Sequence, residues 1–112
     1  MIKVNYYYND DFLLQGFCLK GHADYAEIGY DIVCSAVTSN AVAVINSLDK
    51  LQKVEFEKIE AKEGHIECIV KDNSLDKSQL LLNHFQLAIQ EFKREYPKNI
   101  KFLKKKGVTP IC

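Results

Sequence analysis

The chain has 112 residues, 47% hydrophobic and 27% charged, a globular balance that allows one core rather than two, so residues 1–112 are read as a single domain. Fifteen Lys and Arg offset fifteen Asp and Glu, which removes the case for charge-driven nucleic-acid binding; the one basic run, Lys104-Lys105-Lys106, reads as a solvated edge. MIKVNYYYNDD carries no signal-peptide pattern and no apolar run is expected to reach the length of a bilayer span, so a cytoplasmic protein with no membrane partner is expected.

Ile2, Val4, Tyr6 and Tyr8 alternate with Lys3, Asn5 and Tyr7, the period of a half-buried strand. Asn9-Asp10-Asp11 supplies turn chemistry before a second strand over residues 12–20, and the two predict an N-terminal hairpin. Residues 21–30 hold two glycines and no period, and are expected to form a loop of the kind that often carries function. From Asp31 onward Val33, Val37, Ala41, Val44, Leu48 and Leu51 recur at three- and four-residue spacing, predicting a helix with Asp31 as its N-cap and an end near Leu51. Val54, Phe56 and Ile59 mark a third strand, Lys62-Glu63-Gly64 a turn, and residues 65–71 a fourth strand. Leu81, Phe85, Ala88, Ile89, Phe92 and Tyr96 define a second amphipathic helix that stops before Pro97, and residues 100–105 are a candidate fifth strand. The order ββαββα, with a possible final β, reads as an α+β fold in which two helices pack on a mainly antiparallel sheet.

Cys18, Cys34, Cys68 and Cys112 lie far apart in a chain with a sufficient core, so reduced thiols are expected rather than a disulfide framework. Cys18 and Cys68 fall in predicted strands, where cysteine packs as a small apolar residue, and Cys112 is terminal. With Asp31 as N-cap, Cys34 falls at the third helical position, where unpaired N–H groups and the positive end of the helix dipole favour a thiolate. His22 stands where the second strand gives way to the loop, and Gly21 and Gly29 permit the turns that would bring it to Cys34. Spacing alone leaves two readings open: a catalytic pair, or a loop histidine bonded to backbone beside a cysteine that fills space under a helix end. His65 and His84 read as surface or hydrogen-bonded residues. Zinc through Cys18, His22 and Cys34 lacks a CxxC pair, an HxxxH pair and a fourth ligand, so no metal is expected.

Gly21-His22-Ala23, then Gly29, then Asp31-Ile32-Val33-Cys34-Ser35-Ala36-Val37-Thr38 resembles the signature of the bacterial ribosomal-processing cysteine protease family known as Prp. The resemblance extends over nearly the whole chain, through its length, its element order and the Tyr96-Pro97 end of the second helix. It implies Cys34 as nucleophile and His22 as general base, with Asp31, Thr38, Gly21 and Gly29 in supporting or substrate-binding places. It further implies removal of the N-terminal extension of a large-subunit ribosomal protein after a Phe-Phe pair, a homodimer, a mobile loop over the site, and no cofactor. Ser35 and Thr38 depart from the Ala and Ser common in that family; both stay small, and Thr38 keeps a hydroxyl one helical turn beyond Cys34. Two other readings of the residues remain: a non-catalytic dimeric module associated with ribosomal components, and a thiol hydrolase of small esters or amides.

Overall fold

The structure, a computed structural model, describes residues 1–21 and 28–103, the side chains of residues 28–31 excepted. His22, Lys104-Lys105-Lys106 and Cys112 lie outside the described residues.

Strands β1 (Ile2–Tyr8) and β2 (Leu14–Lys20) pair antiparallel, forming the expected hairpin. Its turn is held by Asn9, whose Oδ1 accepts the N–H groups of Asp11 at 3.0 Å and Leu13 at 2.8 Å, the local side-chain bonding that makes Asn a turn residue. Helix α1 (Ile28–Lys50) follows, then β3 (Phe56–Lys62), β4 (His65–Val70), helix α2 (Leu75–Glu95) and β5 (Ile100–Phe102). A short 3-10 turn, Asp72–Ser74, leads into α2. The sheet order is β3-β4-β2-β1-β5, antiparallel except that β5 runs parallel to β1. Two helices on a five-stranded mixed sheet are the α+β arrangement that the alternation of hairpins and helices predicts.

Both helices pack on one face of the sheet. Ile2, Val4, Phe17, Leu19, Ile66, Cys68 and Ile100 point to that side and meet Val33, Val37, Ala41, Val44, Leu48, Leu82, Phe85 and Ile89 from the helices. At the centre the rings of Phe17 and Phe85 stack with centroids 4.0 Å apart, and both are fully buried. Helix α2 ends as expected: Tyr96 donates its N–H to Phe92 O at 2.7 Å, and Pro97 follows.

Four expectations need correction. Helix α1 starts at Ile28, so residues 28–30 are helical rather than loop, Gly29 is not a loop hinge, and Asp31 lies in the first turn rather than capping it. Ile32–Lys50 is long and apolar enough to cross a membrane, with a mean hydropathy of 1.3, whereas no such run was expected. Its apolar stripe is core: Val33, Val37, Ala41, Val44, Ile45 and Leu48 are each 6% exposed or less. Cys18 is disulfide-bonded, whereas Cys34 and Cys68 are free. The β2 register explains why Cys18 does not pack among the core residues, because it shares a row with Asn5 and Glu67 on the face turned away from the helices. Finally, that face is not a solvated one at its centre: Asn5, Tyr7, Cys18 and Glu67 are all 3% exposed or less.

Candidate active site

A cleft of about 370 Å³ lies at the end of the sheet where β2 and β3 finish and β4 begins. One row of the sheet, Leu19, Ile66 and Ala61, crosses β2, β4 and β3 and forms its floor. Helix α1 is one wall, presenting Cys34, Val37, Thr38 and Val42; the β3–β4 turn, residues 62–64, is another. Cys34 is half-buried and Thr38, one helical turn on, is exposed, so a thiol and a hydroxyl face the same opening.

Gly21 closes the third side. Its N–H donates to Gly64 O at 3.1 Å, tying the end of β2 to the β3–β4 turn. Its φ is +146°, and a Cβ there would stand 2.4 Å from the carbonyl oxygen of Met1; only glycine fits both the angle and the space. Gly64 at φ +79° makes the turn itself. His22 directly follows this anchored glycine in the chain.

The chemistry expected at the helix start changes with the start. With α1 beginning at Ile28, Cys34 lies in the second turn, where its own N–H belongs to the helical ladder rather than to the free first-turn donors. What distinguishes Cys34 from Cys68 is access: Cys68 is fully buried in the core, where burial pushes its thiol up to about 12.

Of the other histidines, His84 is exposed on α2, as expected. His65 lies at the rim of the cleft, but its ring nitrogens face carboxylates: Nε2 is 3.3 Å from Glu67 and Nδ1 is 3.7 Å from Glu60. Glu67, 1% exposed, also accepts the Tyr7 hydroxyl at 2.7 Å and meets the Lys58 ammonium at 2.8 Å. Burial alone would raise the Glu67 carboxyl, but the hydrogen bonds from Lys58 and Tyr7 outweigh it and hold it below its ordinary value. Burial and the bond to Glu67 push the Tyr7 hydroxyl up.

Donor atoms of Cys18, His65 and Glu67 come within 4.8 Å of one another. Cys18 is disulfide-bonded and Glu67 is already engaged by Lys58 and Tyr7, so this set does not fit a metal centre. Cys18 and Cys34, two of the three residues weighed and set aside as zinc ligands, lie on opposite sides of the sheet.

Sequence reasoning did not identify Val42, Ala61 and Ile66 as lining residues, nor the 62–64 turn as a wall. Glycine and charge marked that segment as a turn, but only the strand order β3-β4-β2 brings it beside Cys34.

Comparison with known proteins agrees with this arrangement. Residues 1–101 match the family described as cysteine protease Prp. The ribosomal processing cysteine protease Prp of Staphylococcus aureus is 28% identical over 102 residues, covering 90% of this chain and 96% of that protein. The crystal structure of the S. aureus protease with a substrate peptide superposes with a TM-score of 0.84 at 28% identity, over 94% of this chain and all of that one. A second structure of it, with a covalently linked product peptide, gives 0.79 at the same identity and coverage. Matched over nine-tenths of its length and carrying a half-buried free cysteine in a peptide-sized cleft, this chain belongs to the Prp family of cysteine proteases.

Proposed function

We propose that this protease removes the N-terminal extension of a large-subunit ribosomal protein, cutting after a Phe-Phe pair, with Cys34 as nucleophile and His22 as general base. It acts in the cytoplasm, as a homodimer and without a cofactor. The observation that carries the reading is the shared cleft: Cys34 lines it, and so does Gly21, the residue before His22. The S. aureus relative named for ribosomal processing, solved with substrate and with covalently linked product, supports the substrate class and covalent chemistry.

In this mechanism His22 takes the Cys34 proton and the thiolate attacks the scissile carbonyl. Protonated His22 then gives its proton to the leaving amine, leaving a thioester that water hydrolyses. The apolar floor of Leu19, Ile66 and Ala61 keeps water from the acyl group until the amine product departs. Thr38 holds the bound chain by its hydroxyl. Asp31, within the N-terminal part of α1, is an acidic residue of the kind that favours a helix start, and so serves the helix that carries Cys34. Gly21 is a fixed point at the end of β2, tied to the β3–β4 turn beside the cleft.

Incubation of the pure protein with a synthetic peptide that spans a Phe-Phe junction tests this. Wild type should cut after the second Phe under reducing conditions, while Cys34→Ala and His22→Ala lose roughly 10³-fold or more. An intact peptide with wild type would favour a non-catalytic binding module. Turnover of small esters but not of the peptide would point to a thiol hydrolase.

A further inference from the structure

The floor of the cleft does not end in a wall. Its row runs Leu19, Ile66, Ala61, and Ala61 belongs to β3, the outermost strand of the sheet. Among the described residues no strand lies beyond β3, so alternate N–H and C=O groups along its outer side have no strand to pair with. The side chains near that edge are open as well: Ile59 is 51% exposed and Ala61 is exposed, and Val42 of α1, 39% exposed, lines the cleft with Ala61. The strand is nevertheless held in place from beneath by the ion pair of Lys58 with the buried Glu67.

We infer that the outer edge of β3 binds the substrate chain as an added strand, pairing main chain to main chain with a segment several residues from the scissile bond. Ile59 and Ala61 contact its side chains on the helix-covered face. The inference rests on the protease reading above and extends it from the cleft to the segment that leads into it. An extended peptide fits because the edge supplies a ladder of donors and acceptors indifferent to side-chain identity, while the exposed apolar residues select on one face only. The edge also meets the cleft at Ala61 and Lys62, so one extended chain can occupy both. A second copy paired on β3 would reach the edge alone; the substrate chain is the better occupant because one extended chain fills edge and cleft together.

Backbone N-methylation of the substrate tests this without altering the protein's fold. A fluorescent peptide spanning a Phe-Phe junction, methylated at one amide at a time, is titrated into Cys34→Ala, which binds without cutting. Methylation at alternate residues of the added strand should weaken binding about tenfold, since each blocks one ladder hydrogen bond and adds bulk at the edge, while the amides between, which point to solvent, should change little. Uniform or negligible effects along the peptide would overturn the inference. So would an oligomer held through β3 that persists as the peptide saturates, because a second copy would then hold the edge. Alternation in binding together with an uncut peptide in wild type would sustain the edge assignment and sink the protease reading instead.

Discussion

On the helix-covered face of the sheet, Phe17 and Phe85 stack 4.0 Å apart among aliphatic side chains, whereas the far face centres on a carboxylate, Glu67, reached by Tyr7, Lys58 and His65. Both centres are almost fully buried. The first is stabilised by area removed from water and is indifferent to pH; the second depends on the charge of one group in a place where an unpaired charge is costly. The difference separates two tasks of the β3–β4 hairpin. Its helix-facing side is the floor of the cleft, and its other side pins it to β1 through Tyr7.

The sharpest break in the comparison is Phe85→Ala, which leaves a void under both helices and should cost about 3–5 kcal/mol of unfolding free energy in urea titration. It should act at any pH at which the protein folds.

Glu67→Gln should cost less at neutral pH, about 1.5–3 kcal/mol, as bonds to a charged group are lost. Its signature is the pH profile. The native carboxyl is held below its unfolded value, so its stabilisation is complete above the unfolded value of about 4.3 and disappears as pH falls through the lower native one. Wild type should therefore lose stability on acidification through that window, and the Gln variant should show a flatter curve there. Parallel curves would mean that the Glu67 cluster adds nothing to acid sensitivity.

Gly21→Ala should cost about 1–3 kcal/mol from a strained φ and a clash with the Met1 carbonyl. Since the strain sits beside the cleft, peptide cleavage should fall more than thermal stability does. The smallest effect is expected at Tyr6, whose buried hydroxyl has no hydrogen-bond partner among the described residues. Tyr6→Phe should be neutral or stabilising by up to about 1 kcal/mol, read from the midpoint of thermal unfolding.

The same contrast explains what was legible in the sequence. Periodicity located the helix-covered face well, because Ile2 and Val4 at period two, and Val33, Val37 and Ala41 at helical spacing, announce apolar burial. It could not announce Glu67 or Asn5, since a polar residue on the outward side of a strand has the same pattern whether it is solvated or enclosed. Composition also failed to place the start of α1: Ile28, Gly29 and Tyr30 lack a helical period, and Asp31 is as acceptable in a first turn as at a cap. Cys34 was legible through the motif around it, but its cleft was not, because the turn at residues 62–64 reaches it only through the sheet order.

The central claim is that Cys34 forms a covalent bond to the substrate chain. Rapid acid quench after mixing protein with a Phe-Phe junction peptide, followed by intact and digest mass spectrometry, tests it directly. The expected result is an adduct with the mass of the N-terminal fragment less water, mapped to Cys34 and absent in Cys34→Ala along with cleavage. Undiminished cleavage by Cys34→Ala, or an adduct on another residue, would contradict it.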